Sequence, residues 1–388
     1  MGAGTLQVVA DPPAELLAAW DRLVEATPGT DVTQLSVWAR IGALRAFRPL
    51  YLFAWHGRAL AGGAQVLVRQ VPGLGGVAYV PYGPVIAGDA TERPLFTRDL
   101  AHGLADLPGT RMLFVQPAEG CEDVRRALLA EGFRPSTADV APTGSVRLDL
   151  RRSTEEIARG FTPRLRSWTR RWAGEGVEIR MGDERDVPLL AELMRATADA
   201  CRYRRPPHPD YLRQAYSELA RSGRASLWIG EVNGTAVTAD MVTTCGEMVR
   251  GRWSGFDRHG PGGRLSVPAA ARWAIIRWAQ AEGYRWLDFG GLSEQTLRDA
   301  VDRGIRSKAA WPGPDHAKMS FGGTPFRYPG PVELIRPTPV RLAYDAINGS
   351  ARGRAALDHV QGRLRCRRQP RPHPPRSRPI PSPTSAEP

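Results

Sequence analysis

The sequence predicts an α/β (α+β) chain of two tandem domains built on one plan, followed by a tail with no fold of its own. Three observations predict it. A strand, tight turn and strand occur twice: LYLFAWHGRALAGGAQVLVR (50–69) around His56-Gly57 and SLWIGEVNGTAVTADMVTT (226–244) around Asn233-Gly234. Both are apolar runs broken by a dipeptide suited to positive φ. Each hairpin follows a pair of helical segments, 13–26 and 33–46 in one half, 186–200 and 209–222 in the other. Each is followed by a further strand, a helix (92–107; 266–282) and a buried strand (111–116; 284–289). The length, 388 residues, suffices for two domains with separate cores.

Within the later helix, Ala269, Trp273 and Ile276 recur at spacings of four and three, the stripe of a helix packed on a sheet. Helices, hairpin, strand, helix and strand in that order are the plan of the acetyltransferase-like (GNAT-like, acyl-CoA N-acyltransferase-like) fold, here twice. Residues 1–149 and 150–317 are read as the two domains, with 318–345 a C-terminal segment returning to the first. Residues 363–388 hold seven arginines, eight prolines and one glutamate, so the tail cannot bury apolar area and is expected to be disordered. Between the domains a basic linker helix is expected over 162–174, with Thr162 as N-cap, Pro163 in its first turn and an end near Gly174. Leu165, Trp168 and Trp172 share one arc of it, Arg164 and Arg171 flank that arc, and Arg166 and Arg170 lie across the other face. These arginines suit a phosphate-rich ligand such as tRNA; a solvated basic face is the alternative.

Composition limits the rest. With 42% hydrophobic residues and 11 tryptophans the chain reads as soluble and globular. No stretch suits a bilayer span. MGAGTLQVVADPP lacks the basic start and apolar run of a secretory signal, so a cytoplasmic monomer is expected. Cys121, Cys201, Cys245 and Cys366 have no metal-ligand or CxxC spacing; reduced thiols, no metal and no cofactor are expected. Of the net charge of +13, +6 falls in the tail, which suits polyphosphate, RNA or an anionic membrane face, or serves solubility alone.

Of 53 lysines and arginines only Lys308 and Lys318 are lysines. Where arginine is the default cation, a lysine offers a compact ammonium that can meet a developing oxyanion. Lys318 lies in DHAKMSFGGTPFRYPGP (315–331), whose glycines and prolines suggest a loop. A solvated surface lysine is the other reading.

Four segments taken together resemble the Fem peptidyltransferases, which use aminoacyl-tRNA to extend peptidoglycan stem peptides or, in relatives, small-molecule amines. They are QLSVWAR (34–40), YVPYGPV (79–85), PRLRSWTRRWAGEGVEIR (163–180), and GYRWLDFGGL (283–292) with AKMSFGG (317–323). The resemblance spans roughly residues 30 to 335. It implies that Lys318, before Ser320-Phe321-Gly322, stabilises the tetrahedral intermediate. It implies substrate contacts at Arg40, Tyr82, Gln116 and Phe321, and at Arg204 and above all Arg205, the arginine before a helix that binds substrate phosphate in relatives. It also implies tRNA contacts at Arg164, Arg166, Arg170 and Arg171, and peripheral membrane contact if the acceptor is lipid-linked. Two positions depart from the family. Tyr82 stands where an arginine precedes Gly-Pro, and Gln116-Pro117 where an acid often precedes proline, so a phosphate contact and a base are missing or supplied elsewhere. That leaves room for a specialised acceptor, such as the amine of a peptidyl antibiotic.

The chemistry needs little machinery. An aminoacyl ester is already activated, so an amine held beside it and a cation for the oxyanion suffice. Asp288, at the end of a buried strand, is a candidate to orient the ammonium or accept its proton, or is a structural strand-end carboxylate. Two other classes stay open: an acetyl-CoA-dependent N-acyltransferase, and a non-catalytic RNA-binding or scaffold protein. The first needs a glycine-rich turn whose N–H groups bind pyrophosphate. The nearest candidate, RHGPGG (258–263), puts Pro261 where glycine is needed.

Overall fold

Residues 5–87, 92–138, 140–201, 206–305, 311–350 and 353 are described by a computed structural model; Arg204, Arg205, Lys308 and the 363–388 tail lie outside them. The first half begins with β1 (Thr5–Val9), α1 (Ala14–Ala26) and α2 (Ser36–Ala43). The first hairpin is β2 (Arg48–His56) with β3 (Ala59–Val71), turning at a left-handed Gly57. Then come β4 (Gly75–Pro81), β5 (Val85–Ile86), α3 (Arg93–Ala105), β6 (Thr110–Gln116), α4 (Glu122–Ala130) and β7 (Arg134–Pro135).

After β8 (Gly144–Asp149), α5 (Thr154–Gly160) and α6 (Pro163–Trp168) the plan repeats. It runs β9 (Val177–Gly182), α7 (Val187–Cys201), α8 (Pro209–Arg221) and the second hairpin, β10 (Ala225–Val232) with β11 (Thr235–Cys245). Asn233 and Gly234 both have positive φ, the two-residue turn that matches strand twist. β12 (Met248–Phe256), α9 (Pro261–Arg264), α10 (Val267–Ala281), β13 (Trp286–Gly291), α11 (Glu294–Leu297), α12 (Gly313–Met319), β14 (Thr324–Arg327), β15 (Val332–Ile335) and α13 (Thr338–Gly349) follow.

The strand orders are β1-β2-β3-β4-β6-β15-β7 and β9-β10-β11-β12-β13-β8-β14, with β5 paired to β3. Position by position they match: antiparallel neighbours first, then one parallel pair, β4 with β6 and β12 with β13. The chain therefore holds two tandem acetyltransferase-like domains. The match also exposes an exchange. β8 follows β7 along the chain yet joins the second sheet, between β13 and β14; β15 follows β14 yet joins the first, between β6 and β7. Residues 144–149, read from sequence as the end of the first domain, thus belong to the second sheet. Of the segment 318–345, β14 stays with the second sheet and β15 joins the first. Each sheet contains an internal strand from beyond its own half, so neither buries its backbone polar groups alone.

Three large apolar clusters follow. One lies on the α10 face of the second sheet around Val249, Ile276 and Leu287, and one under α3 and α4 around Leu100, Val115 and Leu128. The third is shared: Trp20, Val24 and Phe53 of the first half pack with Leu190, Leu212 and Met241 of the second. Trp20 is fully buried, and its indole N–H donates to Gln34 O at 2.6 Å.

The linker departs from expectation. Pro163 does open a helix, but α6 ends at Trp168 and a separate 3₁₀ turn covers Trp172–Glu175. The break lets Trp172 bury its ring and donate to Leu265 O at 2.9 Å. The left-handed glycine that closes the segment is Gly176, φ 67°, and not Gly174. Among the described residues no helix is long and apolar enough to cross a membrane, and no cluster of His, Cys, Asp or Glu could hold a metal. Cys121 and Cys245 are free thiols.

The turn between β11 and β12 tests how tightly the halves dock. Gly246 has φ 53°, and a Cβ there would lie 2.3 Å from Glu25 O in α1. Gly57 has a similar φ of 59° with nothing within 4 Å. Gly57→Ala should cost only the left-handed conformation, about 1–2 kcal/mol. Gly246→Ala adds a backbone clash between halves and should cost about 1–3 kcal/mol more. Urea unfolding of the two variants makes the comparison; equal losses would mean the halves do not meet at that turn.

Candidate functional site

Parallel strands β12 and β13 pair only from Met248–Trp286 to Arg250–Asp288. Beyond that Gly251, Arg252 and Trp253 on one strand and Phe289, Gly290 and Gly291 on the other line a cavity of about 1560 Å³. Their first-sheet counterparts, β4 and β6, stay paired from Gly76–Thr110 to Pro81–Gln116. The opening therefore belongs to the second domain, while the first supplies the opposite wall, including Phe47, Tyr79, Tyr82 and Phe114.

At the root of the opening Arg250 is buried among groups from both halves. Nη1 donates to Asp31 Oδ2 at 2.7 Å and Nη2 to the Tyr328 hydroxyl at 2.8 Å, with Asp288 Oδ2 3.1 Å away. Its guanidinium also lies 4.9 Å from the centre of the Tyr82 ring, which itself sits 4.7 Å from the Tyr328 ring. Tyr82 adopts φ 53°, so the backbone at this family departure is left-handed and delivers the ring to Arg250. Burial alone would raise the Asp31 carboxyl; Arg250 first, then Arg252 and Thr33, hold it below the usual carboxylate range.

Asp288 is fully buried at the same place. Oδ1 accepts from Ser145 Oγ and from Gly290 N at 2.8 Å, and Oδ2 from Tyr328 at 3.3 Å beside Arg250. Three hydrogen bonds and the Arg250 ion pair engage both oxygens. The carboxylate acts as a strand-end anchor that shapes the Gly290-Gly291 turn, and it also lines the cavity.

Lys318 does not sit in a loop, as its glycine- and proline-rich surroundings suggested, but in the last turn of α12. Asp315, one turn earlier, fixes that helix by accepting from Ser293 N at 2.9 Å, Ser293 Oγ at 2.6 Å and Thr296 Oγ1 at 2.7 Å. Lys318 Nζ reaches the cavity wall and donates to Gly291 O at 2.5 Å. Burial first and Arg272 second push its pKa down to about 8. Phe321 is buried beneath, between Phe161 (5.2 Å) and Phe289 (4.9 Å). It pins the chain after Lys318 rather than lining the cavity.

The other expected residues scatter. Gln116 is fully buried, with Nε2 donating to Pro329 O at 2.6 Å, and ties the 329 segment to β6 away from the cavity lining. Arg40 is exposed on α2, paired to Glu218 at 2.8 Å, also off the lining. Arg164 and Arg170 are exposed on the linker, Arg166 donates to Arg159 O at 3.0 Å, and Arg171 pairs with Glu175 at 3.1 Å. Arg204 and Arg205 lie outside the described residues, though Pro206 and Pro207 beside them line the cavity.

Asp240 and Arg272 are among the cavity residues that the sequence did not point to. Asp240 is the one charged residue in the eleven of β11. A carboxylate mid-way along an apolar strand is the signal that could have found it.

The RHGPGG turn is already filled. Asp257 Oδ1 accepts from His259 N at 3.1 Å and Gly260 N at 3.0 Å, and Pro261 has no N–H to offer. A carboxylate occupies the donors that would meet a pyrophosphate.

Residues 164–299 match the acetyltransferase (GNAT) domain family. Among solved structures the chain is similar to FemX, at 15% identity and a TM-score of 0.72 over 87% of this chain and 99% of that one. It is also similar to L-PGS from Bacillus licheniformis, at 16% identity and a TM-score of 0.51 over 92% and 98%. The C-terminal domain of a protein described as a lysylphosphatidylglycerol synthetase of Agrobacterium fabrum gives 15% identity and a TM-score of 0.51 over 89% and 96%. No protein of curated function matches the sequence. The fold is the tandem acetyltransferase-like one that FemX also has, and residues 164–299, in its second half, match the GNAT domain family.

Arg250 yields a stability test. Arg250→Met leaves Asp288 buried without its cation and Asp31 with only Arg252, 3.6 Å away, and should cost about 3–5 kcal/mol at pH 7 by chemical denaturation. The Asp31 carboxyl is depressed in the folded protein, so its contribution is present above the ordinary value of 3.8 and lost as pH falls through the folded value. The difference between variant and parent should therefore shrink in acid; a pH-independent difference would show that Arg250 acts by packing alone.

Proposed function

We propose that this protein is an aminoacyltransferase, moving an amino acid from aminoacyl-tRNA to an acceptor amine. The ammonium of Lys318 meets the oxyanion of the tetrahedral intermediate. One observation carries this reading: the lone described lysine is held at the lip of the opening between β12 and β13, tethered by Gly291 O and facing a cavity large enough for an aminoacyl-adenosine end and an acceptor. The fold neighbours fit: FemX, and lysylphosphatidylglycerol synthetase, whose name joins an amino acid to a lipid on the same scaffold. A peptidoglycan stem peptide is the preferred acceptor, in line with the Fem resemblance; an antibiotic-pathway amine is the second choice, because Tyr82 and Gln116 depart from that family.

The carbonyl oxygen of the ester would take the place of Gly291 O as the lysine's partner when charge builds on it. No enzyme nucleophile is required, since amine attack and loss of the ribose hydroxyl complete the exchange. An acetyl-CoA donor is disfavoured by the Asp257-filled turn. Exposed Arg164 and Arg170 are the linker arginines with side chains most open to tRNA phosphates. Cytoplasmic location follows from the same reading, as charged tRNA is found there.

Purified protein given labelled aminoacyl-tRNA and an amine panel should transfer label, lose activity to ribonuclease and weaken with rising salt as phosphate contacts are screened. Transfer that needs acetyl-CoA and survives removal of tRNA would defeat the proposal. Lys318→Met should lower single-turnover rates by about 100-fold or more with donor and acceptor binding kept. Lys318→Arg should rescue only in part, because guanidinium is larger and directional.

The pH dependence has a definite sign. If the protonated lysine does the work, its contribution to turnover declines as pH rises through about 8. Its folded pKa lies below the ordinary 10.5, so keeping the ammonium costs stability below about 8, and that cost disappears between 8 and 10.5. Lys318→Met should accordingly melt higher than the parent at pH 7, and the gap should close by pH 10. A variant less stable at pH 7 would mean the lysine holds the fold together rather than serving chemistry.

A further inference from the structure

Asp240 is 6% exposed and lines the cavity, and its Oδ2 has no hydrogen-bond partner. Among the described residues no ion pair neutralises it. Across the strands it faces Trp228 on β10 and Ser254 on β12, neither of them charged. A carboxylate oxygen without a donor in such a place opposes folding unless a ligand completes it. Arg272 on α10, another cavity residue, is the cation whose field reaches it, and the same guanidinium acts on Lys318. Asp240, Arg272 and Lys318 all line this cavity, and Arg272 acts on each of the other two. Burial pushes the Asp240 carboxyl up to about 6, Arg272 limiting the rise. Asp288, by contrast, has three hydrogen-bond donors and an ion pair of its own.

We propose that Asp240 is a catalytic residue that receives the acceptor as its ammonium and takes a proton from it during transfer. The ligand class is a primary amine on a peptide or small molecule. The choice of reaction rests on the aminoacyl transfer proposed above; the affinity of the site for an amine does not. The bound ammonium first gives up one proton, through Asp240, to solvent water; the neutral amine nitrogen then forms a bond to the ester carbonyl carbon, and the carbonyl π electrons move to the oxygen beside Lys318. Asp240 takes the proton that the nitrogen must lose. As the intermediate collapses, the bond from carbon to the ribose oxygen breaks and that proton passes to the departing hydroxyl, leaving amide, free tRNA and an ionised Asp240.

The test uses the full chain and a probe with a single amine, Nα-acetyl-L-lysinamide, beside its amine-free analogue Nα-acetyl-L-norleucinamide. Calorimetric titration at pH 8 should show binding of the first and not the second. Asp240→Asn should weaken the first by about 10-fold or more and lower the single-turnover rate by at least about 100-fold, with tRNA affinity unchanged. Removing a buried charge should leave its melting temperature no lower than the parent's; Asp240→Thr serves as a second variant with the same expected losses. Amine affinity and rate unchanged in both variants would overturn the assignment, as would a lost rate with full amine affinity. Failure of wild-type protein to bind the lysinamide would overturn it too. If wild type transfers nothing from aminoacyl-tRNA while the amine affinity still depends on Asp240, the donor reading fails and the amine site stands.

Discussion

The structure depends on one buried guanidinium. Arg250 joins Asp31 of the first half to Asp288 and Tyr328 of the second half and its connector, all within 3.1 Å. A buried arginine is tolerable only when its charge and donors are met, so its two carboxylates must arrive together. Docking of the halves and formation of the cavity root are thus one event. Arg250 and Asp288 form the last pair before β12 and β13 separate, and the cavity opens beyond them. Tyr82 follows from this arrangement: a cation is already supplied from β12, and an aromatic ring against it serves where a second arginine would repel.

The exchange of β8 and β15 makes this junction hard to open. Each sheet contains a strand delivered by the chain as it crosses between halves, and the shared core around Trp20 and Met241 covers the seam. Rigid walls matter for a reaction that relies on placement. Lys318 is aimed by a short helix whose Asp315 is bonded to Ser293 and Thr296, and Phe321 locks the residues that follow. The site is polar where the second domain opens and apolar where Phe47, Val77 and Phe114 of the first domain face it.

Much of the fold was legible because its signals are local. Gly57 and Asn233-Gly234 break apolar runs at the turns, though the first turn is Gly57-Arg58 rather than His56-Gly57, and the paired helices before each hairpin show their periods within a dozen residues. The strand exchange was not legible in detail: β8 and β15 are ordinary short strands whose partners are fixed by long-range packing. Lys318 stood out by its rarity, and the structure brings it to the opening, though on a helix. Gln116, Phe321 and Arg40 come from segments near the site in sequence, yet two pack beneath walls and one lies outside them, a distinction that spacing cannot make. The linker helix failed at Trp172, whose burial outweighed the helical period. Asp240 was hidden in a strand that reads as core, and its meaning depends on the cavity it faces.

The central claim is that an aminoacyl carbonyl is presented to Lys318 in the gap between β12 and β13. A crystal structure with a stable 3′-aminoacylamino-adenosine, which mimics the charged tRNA end with an amide in place of the ester, tests it most directly. The account predicts the amide carbonyl oxygen about 3 Å from Lys318 Nζ, the distance an oxyanion donor requires, with the adenosine in the same cavity. An analogue bound elsewhere, or bound there with its carbonyl turned away while Lys318 stays on Gly291 O, would contradict it.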